Sequence, residues 1–350
     1  MNDVIDRLAD EAFQSGATDL FLCEDTVPRV RVDSGIRIPE ESPLSRENLE
    51  EFWLSCHADP ETTQEKDISH VTPAGHRLRV NLYKSLGQLA AVLRPIKDSI
   101  PSLAELGAPS EVLTQWVSRP AGLVLITGPT GSGKSTTLAS SLQWVNDNQA
   151  RHIVTIEDPI EYLFENNQSY FSQRELHADT PSFSSALRAS LRQSPDIILV
   201  GEIRDEETAK ICLQAAETGH LVLATLHSSG VADSLERLTN LFQSGERDGL
   251  LKLLSQHLIG VLSQLLLPRH DGGLLLAVEH LQNEAATRSW IKESNLAEIS
   301  DHINRGDNPV NCSFVRFLVA ATQQGYLDHS VARQAAPNAQ DFDRMMSGIS

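Results

Sequence analysis

The stretch that decides the fold, Gly128 to Ser135, reads GPTGSGKS. It matches the phosphate-loop pattern G-x-x-x-x-G-K-S/T at every fixed position. The apolar run GLVLIT precedes it, and the helical run STTLASSLQWV starts at its last residue. Because the pattern carries meaning only between a strand and a helix, these flanking runs make the assignment specific.

Such a loop predicts a nest of backbone amides around phosphate, at the positive end of a helix. Lys134 is expected to bridge the β- and γ-phosphates, and Ser135 to reach Mg²⁺. The residues predicted to bind nucleotide here are Gly128, Pro129, Thr130, Gly131, Ser132, Gly133, Lys134, Ser135 and Thr136.

Short apolar runs alternate with helical stretches on both sides of this loop. The runs HIVTIE, DIILVGE and LVLATLH are typical of strands buried on both faces of a parallel sheet. After Val231 the chain is predicted to be mainly helical, with an apolar helix across residues 257–267. One helical stripe is expected to contain Leu250, Leu254, Leu258, Val261, Leu262 and Leu265.

The first hundred residues have a different texture, with short alternating runs broken by turn residues. RVRV-DSG-IRI predicts a hairpin whose turn is Asp33-Ser34-Gly35. Two further strands are expected at residues 77–83 and 89–96, and helices at 3–15 and 45–58. We predict a small α+β domain at 1–98, a linker at 99–103 and an ATP-binding domain at 104–350.

Composition limits the function classes. The chain has 29 Lys and Arg against 47 Asp and Glu, a net charge of −18, so no nucleic-acid partner is expected. The opening MNDVIDRLADEAF has no apolar core of a signal peptide, which predicts a cytoplasmic protein. Four scattered cysteines form no CxxC pair, so no zinc is expected.

Acidic residues follow two of the predicted strands. DIILVGE ends in Glu202, which fits the Walker B position, whereas Asp196 lies at the opposite end and is expected to be a cap or an ion-pair partner. In TIEDPIEY, either Glu157 or Glu161 could activate water, or the segment could be a solvated, capped loop.

Two histidines flank the strand LVLATL. His227 follows it, where strand ends line a nucleotide site, and His220 precedes it at the far end. A structural role and a catalytic role both remain open for His227, and geometry favours His220 less.

Four segments in this order, GPTGSGKSTT, TIEDPIEY, DIILVGEIRD and AAETGHLVLATLHS, resemble the Walker A, Asp, Walker B and His boxes of the secretion ATPases. These are motors of type IV pili and type II secretion. The resemblance implies a RecA-like P-loop NTPase domain with a helical C-terminal extension, preceded by a small α+β, PAS-like domain. It also implies a homohexamer that uses ATP and Mg²⁺.

Residue by residue, the resemblance assigns catalysis to Glu161, Glu202, His227 and His220. Glu161 matches the catalytic glutamate, and Glu202 the Walker B acid that supports Mg²⁺ through water, together with Ser135. Arg79 and Arg94 match arginines that can face a neighbour's nucleotide.

The retraction branch, which drives twitching motility, is the most similar one. Its members lack the tetracysteine insert, and the segments at residues 15–20, 79–81, 93–96 and 338–342 resemble theirs. A platform protein of the inner membrane is the implied partner, which places the motor at the inner face of that membrane. Residues 286–291, ATRSWI, depart from the branch by polar replacements. The alternatives are an assembly or secretion ATPase, or an accessory nucleotide-binding ring with little turnover.

Overall fold

The computed structural model describes residues 3–32, 35–96, 99–306 and 308–348. The chain divides into two compact units. The first comprises Met1–Asp98 with Pro159–Tyr162, and the second comprises Ser99–Asp158 with Leu163–Ser350. Each unit has its own hydrophobic core.

The first unit is an antiparallel sheet with two helices. In chain order its elements are α1 (Asp3–Gln14), β1 (Asp19–Cys23), β2 (Arg29–Val32), β3 (Gly35–Arg37), α2 (Arg46–Ser55), β4 (Glu65–Val71), β5 (Arg77–Ser85) and β6 (Gln88–Pro95). The six strands lie in the order β3-β2-β1-β6-β5-β4. The predicted hairpin is the antiparallel pair β2–β3, and its predicted turn residues Asp33 and Ser34 lie outside the described residues.

Local sequence accounts for these elements. In β5, Leu78, Val80 and Leu82 are buried while the residues between them are partly exposed, which is the period of a strand with one face on a core. The helix α2 begins after Ser45, whose side chain accepts the Asn48 N–H and so caps the helix.

The second unit is a parallel sheet between helices. Its elements are α3 (Ser110–Val117), β7 (Gly122–Thr127), α4 (Lys134–Asn148), β8 (His152–Glu157), β9 (Tyr170–Glu175), α5 (Phe183–Ser190), β10 (Ile197–Val200), α6 (Glu206–Glu217), β11 (Leu221–Leu226), α7 (Val231–Asn240), α8 (Arg247–His257), β12 (Leu258–Pro268), β13 (Leu274–Gln282), α9 (Ala285–Lys292), α10 (Leu296–Arg305), α11 (Phe314–Gln323), α12 (His329–Ala335) and α13 (Ala339–Met346).

The sheet order is β13-β12-β7-β11-β10-β8-β9. Every neighbouring pair from β12 to β9 is parallel, and β13 pairs antiparallel with β12 at one edge. The carboxyl ends of β7, β8, β10 and β11 therefore meet at one edge of the sheet, where ligands bind in open parallel sheets. We call this edge the carboxyl edge, and the opposite one the amino edge.

The apolar helix predicted at residues 257–267 is a strand. Only its first residue ends a helix, α8; from Leu258 onward the run is β12. Val261 packs into the core on one face of the sheet and Leu262 into the core on the other, as successive strand residues do. Because the run is apolar on both faces, it carries no period that separates strand from helix.

Outside β12 and β13, the prediction of a mainly helical chain after Val231 holds. Leu250 and Leu254 are buried in α8, and helices follow from α9 onward. Within the described ranges, no helix has both the length and the apolar character needed to cross a bilayer.

Candidate functional site

The phosphate-loop segment connects β7 to α4 at the carboxyl edge. Gly133 is the residue before α4 and has φ of 86° and ψ of 19°, a left-handed conformation that glycine adopts without strain. Gly128 also has a positive φ, and a Cβ on it would collide with the main-chain oxygen of Gln264 and with Ser132 Oγ. The loop therefore needs both glycines to fold this tightly.

Lys134 points back into the loop that precedes it. Its side chain is buried, and Nζ donates to the main-chain oxygens of Gly128 and Pro129, each at 2.9 Å. A buried ammonium group is costly unless polar or anionic groups surround it. The loop thus holds a cation at the position where the phosphates of a nucleotide are expected.

Glu202 and His227 lie side by side at the carboxyl edge. Glu202 Oε1 is 3.3 Å from His227 Nε2, and Glu202 Oε2 accepts from Arg204 Nε at 2.7 Å. Burial lowers the pKa of His227, and the charge of Lys134 lowers it further, against the opposing effect of Glu202. His227 is therefore neutral at neutral pH and belongs to the same electrostatic cluster as Lys134.

Short contacts between strand ends hold this cluster together. Thr225 Oγ1 donates to the Gly201 carbonyl, and Ile203 N–H donates to the Thr225 carbonyl at 3.0 Å. These bonds fix the end of β11 against the segment that carries Glu202. A second link joins β7 to α7, because Ser234 Oγ donates to Thr127 Oγ1 at 2.9 Å.

The acidic segment after β8 has two parts. Glu157 Oε1 accepts from Thr155 Oγ1 at 2.7 Å, and Asp158 lies 3.5 Å from Arg204. Glu161 has an exposed side chain and belongs to Pro159–Tyr162, the segment grouped with the first unit. The structure thus places Glu157 and Asp158 within the second unit, and the catalytic role of Glu161 stays a prediction.

His220 and Asp196 both lie at the amino edge, because they directly precede β11 and β10. His220 Nδ1 is 3.1 Å from the Ala215 carbonyl. Asp196 Oδ2 accepts the His152 N–H at 2.8 Å, so it caps the first residue of β8, and it forms no ion pair with the described residues. A strand of six residues spans about 20 Å, and the structure therefore does not bring His220 to the phosphate loop.

The two predicted arginines of the first unit are direct neighbours. Arg79 on β5 is aligned with Arg94 on β6. Arg94 Nη2 contacts Asp19 at 2.7 Å, and Arg31 lies 3.6 Å from the same carboxylate. Like charges directly opposite each other weaken a sheet, and the Asp19 carboxylate offsets that repulsion at Arg94.

Sequence reasoning missed two residues that shape the second unit. Gln264 on β12 is fully buried and donates from Nε2 to the Ser132 carbonyl at 2.7 Å. Glu279 on β13 accepts the N–H groups of Val231 and Phe314, the first residues of α7 and α11, and burial raises its pKa. The available signal was a pair of polar residues within each apolar run, Ser263-Gln264 in one and Glu279-His280 in the other.

These residues fit a nucleotide with Mg²⁺. A Cβ on Gly128 would collide with Ser132 Oγ, so only glycine fits at the start of the loop. The buried Ser132 Oγ makes no hydrogen bond within the described part of the chain. Ser135 and Glu202 offer hydroxyl and carboxylate oxygens, the ligands that Mg²⁺ prefers. The parallel sheet with its phosphate loop, buried lysine and acid after the neighbouring strand defines a P-loop NTPase.

The family model "Type II/IV secretion system protein" matches residues 2–306, so the chain belongs to that family. A twitching motility protein of Neisseria gonorrhoeae is 40% identical over 321 residues, which cover 90% of this chain and 86% of that protein. The type IV pilus retraction ATPase PilT of Pseudomonas aeruginosa is 38% identical over 345 residues, which cover 97% of this chain and all of that protein.

A solved structure, the pilus retraction motor PilT with bound ADP, superposes with a TM-score of 0.90 at 36% identity. The match covers 97% of this chain and 99% of the other. The predicted P-loop fold and the resemblance to retraction ATPases are confirmed. The chain is an ATPase of this family.

Proposed function

We propose that this chain is the subunit of an ATP-driven motor that retracts type IV pili. The observation that carries the proposal is the composition of the carboxyl edge. There a complete phosphate loop contains the buried Lys134, and Glu202 and His227 belong to the same electrostatic cluster. The retraction role is supported by the names of the relatives that match over nearly the whole chain.

Each of these side chains has its own role in ATP binding or hydrolysis. Lys134 binds the β- and γ-phosphates, and the loop amides orient them. Mg²⁺, when bound through Ser135 and Glu202, offsets phosphate charge. Glu161 accepts the proton of the attacking water, because hydrolysis of a phosphoryl group needs a carboxylate that orients the nucleophile. Neutral His227, whose Nε2 lies 3.3 Å from Glu202 Oε1, keeps that carboxylate aimed at the site.

The proposed assembly is a homohexamer in which Arg79 and Arg94 contribute to a neighbour's nucleotide site. The support is the resemblance of both arginines to those of retraction ATPases, together with their alignment on β5 and β6. Mixing Arg94→Ala chains with Lys134→Ala chains should then restore ATPase activity, because some mixed interfaces keep both groups. The control replaces the second partner with a chain carrying both substitutions, and it should restore nothing.

The partner and the location follow from the proposed role. The motor acts from the cytoplasm on a platform protein at the inner face of the cytoplasmic membrane. Within the second unit, Arg288 on α9 lines a cavity of about 170 Å³ at the amino edge, together with Arg119 and His257. This edge lies away from the phosphate loop and is available for transmitting motion.

The departure from the retraction branch at residues 286–291 has a structural basis. Thr287 is buried, its Oγ1 accepts the Glu284 N–H at 2.7 Å, and its hydroxyl donates to Asn283 at 2.8 Å. The polar residue thus forms the capping box that starts α9. The replacement preserves the helix that carries Arg288.

Two measurements on one set of variants test this proposal. Purified protein should hydrolyse ATP, and EDTA should abolish turnover. Arg288→Ala should keep that turnover and lower twitching motility, whereas Lys292→Ala, at the end of the same helix, should change neither. Equal loss of turnover and motility in Arg288→Ala would contradict the separation of the two edges.

A further inference from the structure

Gln264 occupies an unusual position beneath the phosphate loop. In the parallel pairing of β12 with β7, Ser263 is aligned with Thr127, so Gln264 lies beside Gly128, where the loop begins. The Gln264 side chain is fully buried. A buried amide is costly unless it makes hydrogen bonds, and this one donates from Nε2 to the Ser132 carbonyl at 2.7 Å.

This bond fixes the orientation of one peptide unit. The Ser132 carbonyl and the Gly133 N–H belong to the same planar trans peptide, so they point in opposite directions. A donor that holds the carbonyl against β12 therefore turns the Gly133 N–H away from β12. In phosphate loops, such N–H groups are the ligands of the phosphate oxygens.

The surroundings of this peptide are tightly packed and polar. Gly133 has a left-handed conformation, and a Cβ on it would lie 3.4 Å from Gln264 Nε2. Ser132 Oγ and Gln264 Oε1 are both buried and make no hydrogen bond with the described residues.

We propose that Gln264 is a positioning residue of the nucleotide site. It holds the Ser132–Gly133 peptide so that the Gly133 N–H faces the phosphate, and it does so before nucleotide arrives. The inference rests on the nucleotide-binding role proposed above. It predicts that Gln264 contributes to binding of the distal phosphate and not of the nucleoside.

The experiment measures ADP and AMP dissociation constants of the purified protein by calorimetry. Gln264→Met keeps the length and volume of the side chain but removes the donor. A lost hydrogen bond to a group that binds an anion should weaken ADP binding by about tenfold or more. AMP binding, which lacks the distal phosphate, should change less than about twofold.

Two further variants, with measurements of folding, show whether weaker binding comes from the lost donor or from a failure to fold. Gln264→Leu also removes the donor and offers no polar atom in its place, so it should weaken ADP binding at least as much. Ser263→Ala is the matched control, since its buried hydroxyl makes no hydrogen bond with the described residues. Thermal unfolding without nucleotide, together with deuterium exchange of the loop peptide, shows whether the loop alone is altered.

The outcomes separate this inference from the proposed function. Weaker ADP binding with unchanged AMP binding, and faster exchange at the loop in a folded variant, support the role of Gln264. ADP affinity of Gln264→Met within about twofold of wild type, or equal weakening of ADP and AMP, overturns it. If wild-type protein binds no ADP, the nucleotide-binding role itself fails.

Discussion

An acidic residue flanks β10 at each edge of the sheet, and a histidine flanks β11 at each edge. The groups that contact these residues differ between the two edges. At the amino edge, Asp196 and His220 hydrogen-bond to main chain. At the carboxyl edge, Glu202 and His227 contact each other, and the charge of Lys134 acts on His227. Residues of the same type thus bond to main chain at one edge and, at the other, form the cluster for which we propose chemical roles.

This difference follows from the direction of parallel strands. All their carboxyl ends meet at one edge, where the loops and the helix N-terminus after β7 can surround a ligand. A residue that follows a strand is therefore a candidate for catalysis, and one that precedes it is a candidate for stability.

Lys134→Ala should produce the largest effect. Removing the cation leaves the phosphates without their charge partner, so ATPase activity should fall by about a thousandfold. Lys252→Ala, on exposed α8, is the control that removes an equal charge elsewhere. Steady-state phosphate release measures both, and near-normal turnover in Lys134→Ala would show that this lysine is not the phosphate ligand.

Glu161→Gln should rank next. An amide cannot accept the proton of water, so turnover should fall by about a hundredfold while ATP binding stays nearly normal. Glu157→Gln is the matched control from the same segment and should be milder. Nucleotide affinity and single-turnover rates separate the two steps; the reverse ranking would transfer the catalytic role to Glu157.

Glu202→Gln and Asp196→Asn compare the two ends of β10. Loss of the charged acceptor at Glu202 should lower turnover by about tenfold or more, because bonds to charged groups contribute about 1.5–3 kcal/mol. Asp196→Asn keeps an acceptor for the His152 N–H, so its stability should change by less than about 1 kcal/mol and its turnover not at all. A catalytic loss in Asp196→Asn would remove the contrast between the edges.

His227→Gln and His220→Gln should show the smallest difference, at the two ends of β11. His227→Gln loses the polar contact of the imidazole with Glu202, which predicts a decrease in turnover of about fivefold. His220→Gln should stay within about twofold of wild type. The same assay checks both variants, and equal decreases would mean that His220 acts in an assembly that this single chain does not show.

The sequence predicted the strands of this edge almost to the residue. β7 and β8 have the predicted bounds, because continuous apolar runs end at glycine, charge or the loop itself. Lys134, Glu202 and His227 could be predicted to lie at one edge. Glu202 and His227 each follow a strand of a parallel sheet, and Lys134 belongs to the phosphate loop that follows β7.

The remainder depended on tertiary pairing. The run of β12 is wrongly predicted as a helix because a run buried on both faces has no period. Gln264 and Glu279 were missed because each depends on pairing between strands distant in sequence. Arg94 contacts Asp19 across two strands that are distant in sequence, a pairing that local sequence does not encode, and the proposed roles of Glu161 and Arg79 stay predictions.

The central claim, that this chain drives pilus retraction, is tested most directly by imaging labelled pili on live cells. A strain deleted for the gene should still assemble pili, in normal or greater number, but should not withdraw them. Wild-type protein should restore withdrawal, and Lys134→Ala protein should not. Loss of pili on deletion would assign the motor to extension, and unchanged withdrawal would contradict the motor role altogether.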